Sequence, residues 1–336
     1  MNLDNVLIIA EVGVNHNGNL QTALKLIEEA KKAGADIVKF QTFNSSELAS
    51  EKAQLVDYQK TNLNNIKNQK DMLSQLELSE EEINKIILKC EDIDIEYLTT
   101  AFDNKSLEKI SKLNLKRFKI PSGEITNLPY LRRISSFKKP VILSTGMSFL
   151  SEVSWALDRI IETGISKDQI TILHCTSEYP CPFNNVNLKA IKTLSKAFKM
   201  NVGYSDHTLG IEVSVAAVAM GAKVIEKHLT LNKNMSGPDH KASVEPDEFQ
   251  KMVESIRNIE KSLGNGEKCP SAQELITRRS VRKSILASKG IKIDDYFSEE
   301  NLTTKRPFNG ISPIHWDHYI GKRSKNNYFK DDEIKE

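Results

Sequence analysis

Short apolar runs alternate with longer amphipathic stretches through the first three quarters of the chain. Val6 to Ala10 is apolar throughout, the pattern of a strand buried on both faces, and it runs into the polar, glycine-punctuated segment Glu11-Val-Gly-Val-Asn-His-Asn-Gly18. Leu20 to Ala33 has helical spacing and stops at Gly34, a C-cap glycine. The same reading predicts strands over Asp36 to Phe43, Glu96 to Phe102, Lys116 to Pro121, Pro140 to Thr145 and Gln169 to Cys175. Two more end in Gly203-Tyr-Ser-Asp-His-Thr208 and Val224-Ile-Glu-Lys-His-Leu229. Helical patterns separate the strands, one of them opened by the capping box Ser79-Glu-Glu-Glu82, and Asp247 to Leu263 closes the series. Eight strand–helix alternations over about 260 residues predict a (β/α)₈ TIM barrel spanning 1–264. An open doubly wound sheet is the alternative, but no Gly-x-Gly-x-x-Gly follows any strand.

Two stretches break the rhythm. Asn44 to about Gln75 is long for a βα loop, and loops of that length are usually functional lids or disordered. Gly264-Asn-Gly-Glu-Lys-Cys-Pro270 reads as the start of a linker over 265–279. From 280 to 336 short apolar runs alternate with turn residues, which predicts a small β-rich module. A module of that size has little core of its own and needs a barrel, its own or a partner's, to lean on.

Composition narrows the function classes. Apolar residues make up 39% of the chain and charged residues 27%, with a formal net charge of +2, an ordinary soluble balance. No basic stripe marks a nucleic-acid partner, and no apolar run is long enough to span a bilayer. Cys90, Cys175, Cys181 and Cys269 lack CxxC spacing, as expected of reduced thiols in a cytoplasmic protein. The chain enters its first strand by Val6, so no signal peptide is expected.

The candidate chemistry lies at the strand ends, where barrels of this type place their active sites. Alternation puts Lys39 and Gln41 on one inward face, and Ser144, the pair Ser205 and His207, and the pair Glu226 and His228 on the corresponding faces of later strands. Lys119 precedes the turn Pro121-Ser-Gly-Glu124. A packed barrel interior prefers branched apolar side chains, so the repetition of polar groups is the signal. His207 and His228 end neighbouring strands about 5 Å apart, within reach of one cation. Manganese, cobalt or zinc would accept that pair, with oxygen ligands from substrate and water. Lys39 and Lys119, with Ser122, Ser144 and Ser205, can form a pocket for phosphate and carboxylate groups. Glu124 can hydrogen-bond sugar hydroxyls or move a proton, or simply cap a turn. Glu226 can neutralise an inward lysine. Asp239, in Met235-Ser-Gly-Pro-Asp-His240, is a substrate contact or an Asx-turn.

Taken together, these motifs resemble the bacterial sialic acid synthases (N-acetylneuraminate synthases), including the legionaminic acid synthases. The resemblance rests on Asn15-His-Asn-Gly18, Val38-Lys-Phe-Gln-Thr42, Lys119-Ile-Pro-Ser-Gly-Glu124, Leu143-Ser-Thr-Gly-Met147, Leu173-His-Cys-Thr176 and Tyr179-Pro180. It continues through Ser205-Asp-His-Thr208, Glu226-Lys-His228, Gly237-Pro-Asp239, Lys305-Arg-Pro307 and Asn309-Gly310, so it covers nearly the whole chain. It implies a barrel followed by an antifreeze-like (SAF) domain. It implies condensation of phosphoenolpyruvate with an N-acyl amino sugar and water, releasing phosphate and a nine-carbon 2-keto acid. Manganese is the ion it suggests, with magnesium or cobalt as alternatives. By resemblance, Lys39, Lys119, Ser122, Ser144 and Ser205 hold phosphoenolpyruvate, with Asn15 and Thr100 nearby. Gln41, Glu124, Tyr179 and Asp239 hold the sugar. Arg306 reaches the N-acyl group from the other subunit of a domain-swapped homodimer.

This sequence departs from the family pattern in places. Asn17 stands where some members have a glutamate that is a candidate base, so Glu124 or the cation would have to activate water. Ser177 replaces a longer asparagine, and Ala101 stands where proline is common. N-acetylmannosamine is the expected acceptor, giving N-acetylneuraminate. The alternative is 2,4-diacetamido-2,4,6-trideoxymannose, giving legionaminate. A reading of another class is a Schiff-base pyruvate aldolase using Lys39, Lys119 or Lys227, which would not need the histidine pair. A non-catalytic carbohydrate-binding protein would tolerate loss of Lys39 and His207.

Overall fold

A computed structural model describes residues 5–62, 66 and 68–335. The chain divides into two compact units, Met1–Gly264 and Asn265–Glu336. In the first, strands β1 (Leu7–Gly13), β2 (Ile37–Thr42), β3 (Glu96–Ala101), β4 (Phe118–Ile120), β5 (Val141–Ser144), β6 (Ile170–Cys175), β7 (Asn201–Asp206) and β8 (Val224–His228) close into a barrel in sequence order. Every pairing is parallel, and β8 returns to β1 with Leu7 opposite Val224 and Glu11 opposite His228. This is the expected (β/α)₈ barrel.

The helices are α1 (Leu20–Lys32), α2 (Ser45–Leu48), α3 (Asp57–Asn62), α4 (Gln69–Ser74), α5 (Glu80–Asp92), α6 (Asn104–Ser111), α7 (Leu128–Ser135), α8 (Leu150–Ile161), α9 (Ala190–Phe198), α10 (Glu212–Ala219) and α11 (Pro246–Ser262). Their starts follow side-chain chemistry. Asn19, Asp103 and Asn127 each accept a bond from an orphan amide of the first turn, and Ser79 with Glu82 forms the full capping box. Buried residues of α1 and of α5 to α11 pack with the outward faces of the strands in one core.

Inside the barrel, Leu7, Ile9, Ile37, Leu98, Ile142, Leu173 and Val224 form an apolar plug. Gly203 completes that layer by leaving room. A Cβ there would lie 2.4 Å from the Val224 carbonyl oxygen and 2.6 Å from Leu173 Cδ2. Gly203→Ala should therefore cost about 1–3 kcal/mol of stability, read as a lower denaturant midpoint at unchanged slope. A midpoint equal to wild type would mean that β7 and β8 spread without strain.

The long stretch after β2 is not a bare loop. It carries α2 to α4 around a small apolar cluster of Val14, Phe43, Leu55, Met72 and Leu76. Residues 63–65 and 67 of that stretch lie outside the described residues.

The second unit opens with α12 (Ala272–Val281), which begins within the expected linker 265–279 and runs two residues past its end. Ser271 and Glu274 make reciprocal cap bonds, a helix start that the glycines and proline before it obscured. Strands β9 (Ser284–Ala287) and β10 (Leu302–Lys305) pair antiparallel, and isolated bridges such as Ile291 to Tyr328 extend the β character. A short helix, α13 (Trp316–Tyr319), follows. The unit has its own small core of Ile285, Ala287, Ile291, Phe297, Leu302, Tyr328 and Ile334. Among the described residues no helix is long and apolar enough to cross a membrane.

Candidate active site

Above the apolar plug the inward positions turn polar, and a cavity of about 470 Å³ opens among the strand ends. Every barrel strand contributes to it: Glu11, Lys39 with Gln41, Thr100, Lys119, Ser144, Cys175, Ser205, and Glu226 with His228. The connecting loops add Ser122, Ser177, Tyr179, His207 and Asp239. Met72, Leu73 and Leu76 from and beside α4, with Val14 and Phe102, give one wall an apolar surface.

The floor is a buried charge cluster. Lys39 Nζ makes a close ion pair with the Glu11 carboxylate and lies 3.8 Å from Glu226 Oε2 and 3.3 Å from Thr100 Oγ1. Lys119 Nζ lies 3.3 Å from Glu226 Oε1, which also accepts a bond from Ser205 Oγ at 3.1 Å. Gln41 donates to Glu11 Oε1 at 3.2 Å. The two lysines thus do not form the simple cationic pocket expected from sequence, because two carboxylates match them. Buried ammonium groups without counter-charges would be too costly to keep. Glu226 is the neutralising acid the alternation pointed to.

Burial shapes the proton affinities. Burial would raise Glu226, but Lys119 and Lys39 hold it below the usual carboxylate range. Glu11 is pushed up, first by burial and also by Glu226, against the opposing pull of Lys39. Burial also lowers Lys119 despite Glu226, whereas Glu11 and Glu226 keep Lys39 above its ordinary value against the same desolvation. Asp239 is raised to about 7 by burial, with Glu11 adding to the shift.

His207 and His228 face each other with ring centroids 5.6 Å apart, and the Tyr179 ring packs 4.1 Å from His207 and 5.8 Å from His228. Burial lowers His207 to about 4 and His228 well below the usual imidazole range, so both rings are neutral near pH 7. His207 Nδ1 lies 2.6 Å from the Thr176 carbonyl oxygen. A carbonyl only accepts, so Nδ1 carries the proton and Nε2 keeps its lone pair. His228 Nδ1 is buried without a hydrogen-bond partner, with Asp239 Oδ2 3.9 Å away. Two neutral imidazoles, one with an orphaned nitrogen, suit a divalent cation. Among the described residues no cluster of three or more His, Cys, Asp or Glu side chains can hold a metal. His207 and His228 would hold such an ion, with oxygen ligands from substrate or water.

Some expected site residues stand elsewhere. Asn15 is buried beneath the β1 end, where its amide donates to the Leu229 carbonyl at 2.9 Å and to Ser243 Oγ at 2.8 Å. It ties the tips of β1 and β8 together and does not line the cavity. Glu124 also lies outside the lining, taken up by Asn127 at the start of α7, as a turn-capping acid would be. Arg306 stands in the second unit, one residue beyond β10. Asn17 bonds to the Ser236 carbonyl and to His240, off the cavity, so that position offers no base. Ala101 is fully buried, and its carbonyl accepts the Tyr130 hydroxyl.

The residue that sequence reasoning passed over is Glu11. It shares the inward parity of Leu7 and Ile9, and the alternation applied to later strands would have found it on β1. The bulge between Glu11 and Gly13 aims it: Gly13 has φ +42°, and a Cβ there would lie 2.5 Å from Glu11 Oε1. Cys175 was likewise not assigned to the site, and Ser122 Oγ lies 3.3 Å from its sulfur.

Known proteins share this arrangement of chain and fold. An N,N'-diacetyllegionaminic acid synthase from Campylobacter jejuni is 52% identical, over 98% of this chain and 99% of its own length. Another from Legionella pneumophila is 47% identical over 94% of this chain and 89% of its own. A crystal structure of an N-acetylneuraminic acid (sialic acid) synthetase from Leptospira borgpetersenii, in complex with citrate, matches with a TM-score of 0.73 at 35% identity, covering 82% of this chain and 91% of that one. The model of the NeuB family matches residues 26–268, a span that holds every residue of the cavity except those on β1 and in the turn after it, and the chain belongs to that family.

Proposed function

We propose that this chain condenses phosphoenolpyruvate with 2,4-diacetamido-2,4,6-trideoxymannose and water, giving N,N'-diacetyllegionaminate and phosphate. One juxtaposition carries the chemistry: a neutral histidine pair shares a cavity with two buried lysines and a ring of hydroxyls. The choice of acceptor rests on the relatives. The two named legionaminic acid synthases stand at 52% and 47% identity, against 35% for the sialic acid synthetase structure. That order reverses the preference for N-acetylmannosamine expected from sequence.

The residues divide the work as follows. Lys39 and Lys119, with Ser122, Ser144 and Ser205, receive the phosphate and carboxylate of phosphoenolpyruvate. Its negative charge displaces that of Glu11 and Glu226 from the ammonium groups. Gln41, Tyr179 and Asp239 line the sugar side. His207 and His228 would hold a divalent ion, manganese being the expected one and magnesium or cobalt the alternatives, which when bound supplies Lewis-acid polarisation of the acceptor aldehyde. C3 of phosphoenolpyruvate bonds to the aldehyde carbon, leaving an oxocarbenium-like centre at C2 over the carboxylate floor. Water adds at C2, and Glu11, held by Gln41, takes its proton. As the C2=O double bond forms, the C2 hydroxyl passes its remaining proton to the alkoxide left on the former aldehyde oxygen, and phosphate departs with the proton held by Glu11. Lys227 lies outside the cavity lining, so it drops out as a Schiff-base nucleophile.

The second unit is read as the antifreeze-like module of a domain-swapped homodimer, with the partner subunit's Arg306 reaching the N-acyl group. The motifs Lys305-Arg-Pro307 and Asn309-Gly310 support that reading. Four free thiols suit a cytoplasmic enzyme.

Phosphate release from phosphoenolpyruvate, with manganese, should show a kcat/KM higher for the diacetamido sugar than for N-acetylmannosamine by about 10-fold or more. A binding site loses about that much when one recognised group is missing. A higher value for N-acetylmannosamine would return the chain to sialic acid synthesis with the same mechanism. Release that needs no acceptor sugar would remove the condensation itself. Borohydride trapping of pyruvate on the protein would favour the aldolase reading.

A further inference from the structure

Behind the two histidine strands lies a buried ion pair that this mechanism does not use. Asp206 and Lys227 each stand one residue before a cavity histidine, and they pair in register across β7 and β8. Strand alternation points both away from the cavity and toward α10. Both side chains are completely buried, 2.9 Å apart at Lys227 Nζ and Asp206 Oδ2. Lys227 Nζ also donates to the Thr208 carbonyl oxygen at 2.6 Å. Asp206 Oδ1 accepts from the Thr208 amide at 2.9 Å and from its hydroxyl at 2.8 Å. Ser214 of α10 donates to Asp206 Oδ2 at 2.6 Å. From the position next to His228, Lys227 therefore grips the chain on both sides of His207.

Such a pair is a weak way to stabilise a fold. Desolvating both ions offsets their attraction, and an apolar pair of similar volume is often as stable or more so. What an apolar pair cannot do is reach the Thr208 carbonyl and fix the turn that carries His207. The pair is built for geometry.

We propose that Asp206 and Lys227 are positioning residues that set the spacing and orientation of His207 and His228 for one divalent cation. The proposal rests on the metal reading given above. Groups outside the ligand sphere that orient metal-binding histidines are worth about 10–100-fold in metal affinity, and a clamp through both flanking residues belongs in that range.

The test is binding of manganese alone to the purified full-length protein without substrates, followed by the electron paramagnetic resonance of the free ion. Thermal unfolding is recorded in parallel. Lys227→Met should weaken manganese binding about 10–100-fold. Lys227→Arg, which keeps the charge and the reach, should restore most of it. Because Lys227→Met leaves Asp206 buried without its partner, the double variant Asp206→Leu with Lys227→Met serves as the folded control. It should unfold near the wild-type temperature and still bind manganese as weakly as the single variant. A folded double variant that binds manganese as tightly as wild type would overturn the clamp while leaving the metal reading intact. Wild-type protein that binds no manganese would remove both.

Discussion

Alanine in place of His207 should abolish phosphate release with either sugar, a fall in kcat/KM of at least about 10³-fold, or roughly 4 kcal/mol of transition-state stabilisation. His207 is buried and neutral, its Nδ1 proton is committed to the Thr176 carbonyl, and the His228 ring lies 5.6 Å away, centroid to centroid, in the same cavity. A neutral imidazole with one nitrogen engaged by the backbone is arranged to accept a cation rather than to move protons. Losing it leaves His228 alone, and one imidazole is a poor site for manganese. The fold should survive, since His207 sits above the apolar plug and its neighbours Asp206 and Thr208 remain bonded to Lys227. The expected signature is threefold: lost turnover, lost response to manganese, and an unfolding temperature within a few degrees of wild type. Turnover like that of wild type in His207→Ala would sink the metal site and return attention to the lysines.

The fold was legible because short strand runs such as Val6 to Ala10 alternate with amphipathic helical stretches, several of them opened by a side-chain cap such as Asn19, Ser79 or Asp103. The site was legible for a narrower reason. Polar side chains recur on the inward parity of successive strand ends, where packing alone would call for valine or isoleucine. Alternation found Lys39, Ser144, Ser205, Glu226 and His228, and the structure brings all five into one cavity. What alternation could not show was which residues of neighbouring strands fall opposite one another. Nothing local to Lys39 announces Glu11 as its counter-ion; only closure of β1 against β2 brings them together. The same limit explains Asn15 and Glu124. Both sit in turns beyond the strand ends, where no period governs direction, and the chain spent their hydrogen bonds on the tips of β1 and β8 and on the start of α7. The helix over Ala272–Val281 was hidden because an exposed helix held mainly by its cap has little apolar period to read.

Glu11→Gln should lower kcat about 10²- to 10⁴-fold in a folded protein, with Glu226 left as the shared counter-charge of Lys39 and Lys119. Glutamine keeps the size of the side chain and can still bond to Gln41, so the variant removes a charge and a proton site and little else. Those two losses predict opposite kinetics. If Glu11 serves only as a counter-ion to Lys39, removing its charge strips a repulsion from the site of an anionic substrate. The KM for phosphoenolpyruvate should then fall while kcat holds. If Glu11 carries the proton of the attacking water, kcat should fall whatever happens to KM, because amide nitrogen and oxygen cannot take that role near neutral pH. The pH profile separates the cases a second time. Burial and the Glu226 carboxylate push the Glu11 carboxyl above the usual carboxylate range, so the base form is lost as pH drops through that raised value. Wild-type kcat should therefore decline on the acid side, and the residual rate of Glu11→Gln should lack that limb. Unchanged kcat with a lowered KM would assign the proton to another group. Asp239 would then be the next to substitute, since it is buried in the same cavity with its carboxyl raised to about 7.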